Sequence, residues 1–402
     1  MMKKVLFVIN TLGQAGAETA LLELLRKMDS EQYEISLYVL MGQGEMVSML
    51  PDYVKLKNSH FDNRSVLSAE GKGNLKKTVL KALLKRGNVI RKFPYLVRNL
   101  CYMIRKRKIL IEKLLWDILS EGAERFDEHY DLAVAYLEGG STYYVANWVN
   151  ADKKAAFVHV DYEKAGYTRA LDQDCYKHFD QIFTVSDEVK MAFEKAYPEY
   201  SKKTQVFHNI LDCEGIRKRA EENEGFTDEF SGIRILSVGR LTTQKAFEVS
   251  IDAMKMLKDS GENVRWYVLG DGDQRKKLED QVEKLGLQKD FLMPGAVKNP
   301  YPYMKQADIY VHASRFEGKS IAIQEAQIIG KPMVVSDCSG NREQVIQDVD
   351  GVLCDFTAEA IFQSVRELIH DEAKRKRLGE MAAKKNEDSS MEIQKLLALM
   401  EG

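Results

Sequence analysis

Cysteine is scarce in this sequence, and the few that occur are not arranged as a structural staple. Five cysteines are scattered among the 402 residues, an odd number without a single C-x-x-C pair. Disulfide frameworks use an even number of cysteines, and structural zinc sites use closely spaced pairs. The pattern argues against both, and a reducing compartment such as the cytoplasm fits this cysteine usage.

Long apolar runs are also lacking. No segment reaches the roughly 18 uninterrupted apolar residues that a membrane-spanning helix needs. Near the N-terminus the apolar run covers residues 5–9 and is closed by Asn10 and Thr11, and no small-residue cleavage site follows an apolar region of adequate length. A signal peptide needs both features. We therefore interpret this run as the first buried strand of a folded domain.

Acidic residues are almost absent from one segment, although the whole chain is nearly neutral. The chain carries −2, from 59 basic and 61 acidic residues, which predicts no general affinity for polyanions. Residues 72–113 instead hold 14 basic residues and a single acid, Glu112, which gives this segment +13. The basic residues are Lys72, Lys76, Lys77, Lys81, Lys85, Arg86, Arg91, Lys92, Arg98, Arg105, Lys106, Arg107, Lys108 and Lys113.

Apolar and aromatic residues are interleaved with these charges, among them Phe93, Tyr95 and Tyr102. This alternation predicts a pair of amphipathic, cationic helices inserted at about residues 72–113. We expect the insertion to attach to an anionic membrane surface. A solvated charged insertion without a partner is the alternative.

Apolar residues make up 45% of the chain, which is enough for two domains of ordinary size. The opening alternates between two continuous apolar runs, KKVLFVIN and ISLYVL, and a helical stretch that follows the turn GQAGAE. Such a βαβ unit belongs to a parallel sheet that is buried on both faces. Further runs, YDLAVAYL, AAFVHVD and FDQIFTVS, predict that residues 1–210 form one doubly wound domain.

From Ile233 the pattern restarts, and helical stretches alternate with six short apolar runs, IRILSVGR, VRWYVLG, DFLMPG, DIYVHAS, PMVVSD and DGVLCD. We predict a second parallel α/β domain over residues 211–385. The charged residues 214–232 are expected to form the linker or the domain entry. Residues 358–400 are expected to be helical, with Gly379 as a break, and residues 386–402 to form the final helix.

Candidate binding loops follow from this architecture, because ligands of parallel α/β sheets bind at the carboxyl ends of the strands. Two such domains that face each other would form a cleft. The turn GQAGAE places Gly13 and Gly16 before a helix N-terminus, where a phosphate or a sugar can approach the backbone. Neither this turn nor GDGDQR matches G-x-G-x-x-G, which weakens the case for a dinucleotide oxidoreductase. A plain tight turn is the alternative for each.

The loop SVGRLTTQK follows the first strand of the second domain and carries Arg240 and Lys245. Two fixed cations at a strand's carboxyl end can neutralise a diphosphate, a task that a divalent metal performs elsewhere. The alternative is a solvated surface loop. Three D-x-D triplets, at residues 172–174, 271–273 and 348–350, could instead hold a metal. Asp271 and Asp273 also occupy positions suited to capping a helix. We expect no metal.

Two glutamates, Glu317 and Glu325, flank the start of a predicted helix in SRFEGKSIAIQEA. Glu317 can accept hydrogen bonds from sugar hydroxyls, and Glu325 from a ribose diol. The amides at the helix start can bind an anion; they belong to Gly318, Lys319, Ser320 and Ile321. In the alternative interpretation, Glu317 stabilises the helix dipole and Glu325 faces solvent.

Histidine is a candidate at one strand end. His159 closes the apolar run AAFVHVD and would point into the expected cleft. We expect His208 and His312 to be structural.

With these residues assembled, the chain resembles the retaining, nucleotide-sugar-dependent glycosyltransferases of family 4, which have the GT-B fold of two facing Rossmann-like domains. The resemblance is carried by GQAGAE, VFHNILD, SVGRLTTQK, VLGDGDQRKKL, GAVKNPYPYMKQADIYVHAS and EGKSIAIQEAQIIGKPMVVSD, of which the E-x7-E pair is the most specific element. It extends over nearly the whole chain. Two departures are Ala15-Gly16 in place of adjacent glycines, and Lys319 in place of a common apolar residue.

This resemblance implies a role for each candidate residue. Arg240 and Lys245 would hold the donor diphosphate, and Glu325 would hold the ribose. Glu317 would bind the transferred sugar, with His159 on its far side or near developing charge. The remaining residues implied in donor binding are Gly16, Gly239, Val297, Gly318, Lys319, Ser320 and Ile321.

The resemblance further implies a metal-independent hexosyltransferase whose co-substrate is a nucleoside diphosphate sugar, with UDP as the expected nucleotide and no other cofactor. Residues 1–210 would bind the acceptor and residues 211–385 the donor, and the final helix would return to the first domain. The acceptor would be a lipid-linked saccharide of bacterial capsule, exopolysaccharide or lipopolysaccharide synthesis, reached from the inner face of the cell membrane.

Other functions remain open at this point. A nucleotide-sugar epimerase or a phosphorylase could use the same architecture. A non-catalytic protein could instead use the basic insertion to hold a membrane or a nucleic acid. Salt-dependent oligonucleotide binding without sugar turnover would favour that last alternative; we expect no nucleic-acid partner.

Overall fold

The computed structural model describes residues 2–66, 68–84, 88–106, 110–385 and 391–401. The chain divides into two compact units. Unit 1 comprises the described residues within Met1–Leu211 and Ser389–Gly402, and unit 2 comprises those within Asp212–Asp388. Four of the 14 basic residues of the segment 72–113, Lys85, Arg86, Arg107 and Lys108, lie outside the described residues.

Unit 1 is built on a parallel sheet of seven strands in the order β3-β2-β1-β4-β5-β6-β7. Its first strand is fully buried at residues 5–9, because helices cover both faces of a parallel sheet. The strands are β1 (Lys3–Ile9), β2 (Tyr33–Val39), β3 (Lys55–Leu56), β4 (His129–Ala135), β5 (Asn150–Val158), β6 (Gln181–Thr184) and β7 (Thr204–Val206).

Eight α-helices of unit 1 precede residue 212. They are α1 (Gly16–Lys27), α2 (Ala69–Leu84), α3 (Asn88–Arg91), α4 (Phe93–Arg105), α5 (Ile111–Gly122), α6 (Gly140–Trp148), α7 (Arg169–Asp172) and α8 (Asp187–Ala196). Some of these helices follow a residue whose side chain caps their first turn. Ser186 caps α8 by accepting a hydrogen bond from the Val189 amide at 3.2 Å.

The basic segment is helical, as predicted, but it contains more than the expected pair of helices. It includes most of α2, the short α3, α4 and the start of α5. A small apolar cluster attaches α4 to the unit, formed by Tyr95 and Met103 of α4 with Leu114 and Leu171.

Unit 2 has a parallel six-stranded sheet in the order β10-β9-β8-β11-β12-β13. The strands are β8 (Ile233–Val238), β9 (Val264–Leu269), β10 (Phe291–Gly295), β11 (Ile309–His312), β12 (Met333–Ser336) and β13 (Val352–Cys354). They are the six runs that the sequence predicted. The helices are α9 (Cys213–Ala220), α10 (Phe247–Asp259), α11 (Arg275–Lys284), α12 (Tyr301–Gln306), α13 (Ile321–Ile328), α14 (Ala358–His370) and α15 (Glu372–Ala383).

One of two local expectations for unit 2 is wrong. Residues 214–232, expected to be the linker or the domain entry, lie at the entry to unit 2, which begins at Asp212. They start within α9, which Asp212 caps by accepting from the Gly215 amide at 3.0 Å. The C-terminal break lies at Asp371, which caps α15, and not at Gly379. Gly379 lies inside α15. Glycine is needed at this position because a Cβ would lie 2.4 Å from the Gly330 carbonyl oxygen. The described part of the final helix, α16 (Glu392–Leu397), belongs to unit 1.

Both sheets share one topological feature that positions a site. In unit 1, β1 lies between β2 and β4, and in unit 2, β8 lies between β9 and β11. The chain therefore proceeds in opposite directions on the two sides of the first strand of each unit. At such a switch point the loops after the two central strands diverge and leave a crevice at the carboxyl ends, where ligands of these folds bind.

Candidate functional site

In unit 2, the loops after β8 and β11 lie side by side because these strands pair directly, with Ile309 opposite Ile235. Backbone and side-chain hydrogen bonds join the two loops. The Arg315 amide donates to the Gln244 carbonyl at 2.9 Å, and Gln244 Nε2 donates to the Phe316 carbonyl at 2.9 Å. This joining brings together residues that are about 70 positions apart in the sequence.

The two loops place a cation and a carboxylate in direct contact. Lys245 Nζ lies 2.6 Å from Glu317 Oε1, and their side chains are 18% and 8% exposed. His312, the last residue of β11, completes the group: its Nε2 lies 3.2 Å from Glu317 Oε1 and 3.4 Å from Lys245 Nζ. The Oγ atoms of Ser314 and Ser320 each lie 3.3 Å from the same ring nitrogen. His312 is therefore part of this group, whereas the sequence analysis expected it to be structural only.

The electrostatics of this group decide the protonation states. Burial raises the pKa of the Glu317 carboxyl, but the Lys245 ammonium and the hydrogen bond from His312 outweigh it and hold the pKa below its ordinary value. Burial, with the nearby Lys245 charge, lowers the pKa of His312. At neutral pH the group therefore contains a carboxylate and a neutral imidazole.

The hydrogen-bond network also assigns the tautomer of His312. The nearest group to Nε2 is the Glu317 carboxylate, which can only accept, so we assign the proton to Nε2. Nδ1 is then an acceptor, and the Tyr310 hydroxyl lies 3.4 Å from it. In this arrangement His312 holds the Glu317 carboxylate in a fixed orientation.

A bound anion would meet less positive charge here than the two free cations, Arg240 and Lys245, that the sequence predicted. Arg240 follows β8 and is exposed, with no ion pair to any residue in the described part of the chain. Lys245 is neutralised by Glu317. The three residues together carry +1, although the Lys245 ammonium has three N–H donors and Glu317 occupies one of them.

The start of α13 also differs in detail from the expectation. The helix begins at Ile321, after Ser320, whose amide donates to Gln344 Oε1 at 2.7 Å. Gln344 Nε2 in turn donates to the Ser320 carbonyl at 2.8 Å. The Ser320 amide is therefore not available to an anion, contrary to the prediction. Gly318 and Lys319 precede the helix, and the amides that begin at Ile321 form its N-terminus.

Glu325 is buried, which contradicts the alternative that it faces solvent. The Tyr301 hydroxyl, at the start of α12, donates to Glu325 Oε1 at 2.8 Å. The guanidinium of Arg219 lies 4.7 Å from the centre of the Tyr301 ring. Tyr301 is a second residue of this region that the sequence analysis did not identify. Val297, half-buried, lies in the loop after β10.

Glycines allow the loops of unit 2 to approach one another. Gly270 has φ +154, and a Cβ there would lie 1.9 Å from the Gly239 carbonyl oxygen. A Cβ at Gly340, with φ +77, would lie 2.3 Å from the Gly318 carbonyl oxygen. Close packing of backbones therefore explains the first glycine of GDGDQR, and it explains how the loop after β12 supports Gly318.

Protein contacts account for one aspartate in each of the three D-x-D triplets. Asp172 is buried and accepts from Tyr143, Tyr162 and Tyr197. Asp271 accepts from the Gly272 amide and pairs with Arg275, whereas α11 has Gln274 at its N-cap and no side-chain cap, so the capping prediction is wrong. Asp350 pairs with Lys385. Within the described ranges, three or more His, Cys, Asp or Glu side chains do not gather as a metal site would require.

In unit 1, residues after β1, β4 and β5 meet at the carboxyl edge of the sheet. Asn10 Nδ2 donates to the Glu138 carbonyl at 3.2 Å, and Asn10 Oδ1 accepts from the Ser141 amide at 2.8 Å. The His159 amide donates to Glu138 Oε2 at 2.9 Å. Burial raises the pKa of the Glu138 carboxyl. Gly16 is the exposed first residue of α1, and Ala15 gives that helix no side-chain cap.

His159 has an unsatisfied ring nitrogen at this edge. Its Nε2 is buried and has no hydrogen-bond partner among the described residues. Burial lowers the pKa of His159 to about 4, so the imidazole is neutral at physiological pH. A neutral ring cannot offset developing negative charge, but its free nitrogen can accept a hydrogen bond from a hydroxyl.

Comparison with known proteins finds similarity to glycosyltransferases. Residues 221–385 match the family Glycosyl transferases group 1. An uncharacterised glycosyltransferase of Methanocaldococcus jannaschii is 27% identical over 239 residues, covering 54% of this chain and 57% of that protein. The N-acetylgalactosamine-N,N'-diacetylbacillosaminyl-diphospho-undecaprenol 4-alpha-N-acetylgalactosaminyltransferase of Campylobacter jejuni is 32% identical over 177 residues, covering 44% and 47%.

Solved structures resemble the whole chain. HepE of Anabaena, solved in complex with UDP and glucose, has a TM-score of 0.71 with 17% identity and full coverage of both chains. S. aureus TarM, in complex with fondaparinux, alpha-GlcNAc-glycerol and UDP, has a TM-score of 0.68 with 10% identity, also with full coverage. Together with the two parallel sheets, these similarities show that the protein has the GT-B fold. Sequence similarity extends less far, since the chain spans about half the length of the curated relatives it matches.

Proposed function

We propose that the protein is a glycosyltransferase that moves a sugar from a nucleoside diphosphate sugar to an acceptor. The observation that carries the proposal is the Lys245–Glu317–His312 group at the switch point of unit 2, inside the region that matches Glycosyl transferases group 1. UDP is the proposed nucleotide, because solved proteins of the same fold bind UDP and UDP-glucose.

The donor would be bound by groups of both charges. The diphosphate accepts from Arg240, from a remaining N–H of Lys245 and from the amides at the start of α13. Glu317, held by His312, accepts hydrogen bonds from hydroxyls of the transferred sugar. Glu325, held by Tyr301, accepts from the ribose. Gly239 and Val297 line the nucleotide side, and Gly318 permits close approach of the sugar.

During transfer, the bond between the anomeric carbon and the β-phosphate oxygen breaks, and the acceptor oxygen bonds to the anomeric carbon. Negative charge grows on the leaving diphosphate, and we propose that Arg240 and Lys245 stabilise it. In our proposal the reaction needs no divalent metal. The configuration at the anomeric carbon is retained, and the acceptor proton leaves with the diphosphate. In unit 1, His159 and the start of α1 near Gly16 are the groups we propose to form hydrogen bonds with a substrate.

The proposed acceptor is a lipid-linked saccharide at the cytoplasmic face of the cell membrane. Two relatives support this assignment by their names: the Campylobacter enzyme contains diphospho-undecaprenol in its name, and an Erwinia amylovora relative is named for amylovoran biosynthesis. None of the described helices combines the length and apolar character required to cross a membrane. Because its basic segment can bind anionic lipid, we propose that the protein works from the membrane surface.

A donor panel tests this proposal. UDP-, GDP- and ADP-sugars are incubated with the protein and a lipid-linked saccharide, and release of the nucleoside diphosphate is measured with and without chelator. We expect release from one donor, unaffected by chelator and lost in Glu317→Gln. NMR of the product's anomeric proton reports retention. Nucleotide-sugar interconversion without a second sugar would indicate an epimerase, and oligonucleotide binding without turnover would contradict the proposal.

A further inference from the structure

Exposed apolar side chains are concentrated in the basic segment. Sixteen large apolar side chains are exposed in the part of the chain that the structure describes, and nine of them lie within residues 72–113. They are Leu80, Leu84, Ile90, Phe93, Val97, Leu100, Tyr102, Ile104 and Ile111. Scattered exposed apolar residues are normal, but a concentration of this kind marks a surface that contacts an apolar partner.

Helix α4 explains the concentration, because it is apolar on two faces. Its inner face packs on unit 1 through Tyr95 and Met103. Four other apolar residues recur at intervals of four, three and four, so they lie on one side of the helix. We define them as the outer face of α4: Phe93, Val97, Leu100 and Ile104, which are 60%, 43%, 36% and 55% exposed.

Cations border this outer face. Arg98 and Arg105 lie on the same helix and are exposed. Lys106 extends over the Tyr102 ring, with Nζ 5.9 Å from the ring centre. On α2, the exposed Leu80 and Leu84 are accompanied by the exposed Lys76, Lys77 and Lys81. A helix with an apolar stripe and a basic border is typical of segments that lie in the interface of an anionic bilayer.

We propose that the outer face of α4 inserts into the boundary between headgroups and acyl chains of an anionic bilayer, while the surrounding basic residues bind lipid phosphates. This inference deepens the membrane association in the proposed function, because it identifies the surface and adds an apolar component to the electrostatic one. The four side chains enter the acyl boundary, and Arg105 and Lys106 extend to the phosphates, whereas Arg98 donates to the Ala170 carbonyl at 3.1 Å.

Charge selects a bilayer over other apolar partners. The chain carries −2 and residues 72–113 carry +13, so the remaining residues carry −15. An anionic surface therefore attracts this segment and repels the rest, which orients the molecule. A symmetric dimer through the outer face would place the same cationic segment of two copies together, at a cost in repulsion. A nucleic acid would pair with the cations but would leave four apolar side chains without an apolar environment.

Flotation with lipid vesicles tests the insertion. One variant replaces all four outer-face residues by serine, and its matched control replaces four exposed apolar residues elsewhere, Met191, Ile346, Val349 and Met381. We expect the wild type and the control to bind vesicles that contain phosphatidylglycerol and to keep part of this binding at about 0.5 M NaCl. The outer-face variant is expected to bind at least about tenfold more weakly at low salt and to lose the salt-resistant part.

A dye attached to a native cysteine reports directly how deeply α4 enters the bilayer. Cys101 lies on α4 and is exposed, so an environment-sensitive dye can be attached there in a Cys213→Ser background. We expect a blue shift on adding anionic vesicles, with quenching by lipids labelled near the headgroup boundary. Equal binding of the outer-face variant and wild type, or an unshifted dye on bound protein, overturns the insertion. A wild type that dimerises while the outer-face variant is monomeric overturns it in favour of a protein interface.

Failure here is distinguishable from failure of the proposed function. The outer-face variant is expected to release nucleoside diphosphate normally with an acceptor in detergent solution, because α4 is part of unit 1 and the donor residues are in unit 2. Loss of vesicle binding with normal turnover supports the insertion. If the outer-face variant loses turnover in detergent solution as well as vesicle binding, and its circular dichroism is unchanged, the result contradicts the inference by giving α4 a catalytic role.

Discussion

Lys245 Nζ and Glu317 Oε1 are 2.6 Å apart, so two residues expected to hold different parts of a donor form one ion pair. A change to either residue therefore alters the other. Removing Lys245 deletes a phosphate donor and also leaves a buried carboxylate without its counter-charge. The effect of Lys245 on stability and its effect on turnover must be separated before either is assigned to the donor.

A double-mutant cycle measures the effect on stability by itself. Lys245→Met is expected to destabilise the protein by about 3–5 kcal/mol, because Glu317 is left charged and buried. Adding Glu317→Gln removes the unpaired charge and is expected to recover most of the loss. Urea denaturation followed by tryptophan fluorescence measures both, with the exposed Arg240→Met as a control that changes stability by less than about 0.5 kcal/mol. Additive effects of the two changes would mean that the pair is not coupled.

His312 is expected to act by positioning Glu317. His312→Leu should lower kcat by about 10- to 100-fold, whereas His312→Gln, which retains an N–H donor near the position of Nε2, should recover part of the rate. Because its folded pKa lies below the ordinary value, His312 should add no break to the pH–rate profile above pH 7. Equal rates for the Leu and Gln variants would show that the donor to Glu317 is irrelevant.

His159 makes stability depend on pH. Its pKa is about 4 in the folded protein and about 6.5 in an unfolded chain. Between these values the unfolded state binds more protons, so stability falls as the pH decreases from 6.5 towards 4. From pH 7.5 to 5 the wild type should lose about 2 kcal/mol more than His159→Gln does. Stability is measured by urea denaturation at both pH values. An equal loss of stability in wild type and His159→Gln would show that His159 is not the cause of the pH dependence.

Tyr301 is expected to support donor binding through Glu325. Tyr301→Phe removes the hydroxyl that donates to Glu325 Oε1, which should cost about 1–2 kcal/mol in donor binding, or a rise in KM of roughly 5- to 30-fold, with kcat little changed. Tyr303→Phe, in the same helix, is the matched control and should behave as wild type. A larger effect on kcat than on KM would instead place Tyr301 near the transferred sugar.

The sheets of both units could be predicted from the sequence, because parallel strands buried on both faces give continuous apolar runs such as ILSV and YVLG. The positions of the candidate binding loops followed from the same runs, because each loop begins where a predicted strand ends. The ion pair between Lys245 and Glu317 did not follow, because it depends on the pairing of β8 with β11, which local patterns do not specify. His312 ends a strand as His159 does, so strand-end position was an available signal for it.

Other details depend on tertiary contacts. Gly379 predicted a helix break, but contact with the Gly330 carbonyl requires a glycine there while the helix continues. In α4, apolar residues occur on both sides of the helix, so periodicity alone does not show that Tyr95 is buried and Phe93 exposed. The resemblance to family 4 implied roles for Glu317 and Glu325, but the groups that hold them, His312 and Tyr301, came from the structure.

Equilibrium binding of a nucleoside diphosphate in the presence of chelator tests the central claim most directly. Calorimetric titration of UDP, GDP and ADP into the wild type and Arg240→Met measures whether unit 2 holds a diphosphate by cations of the chain. We predict that UDP binds without a metal and that Arg240→Met weakens binding by about tenfold or more. Binding that requires a divalent metal and is unchanged in Arg240→Met, or no binding of any of the three, would contradict the account.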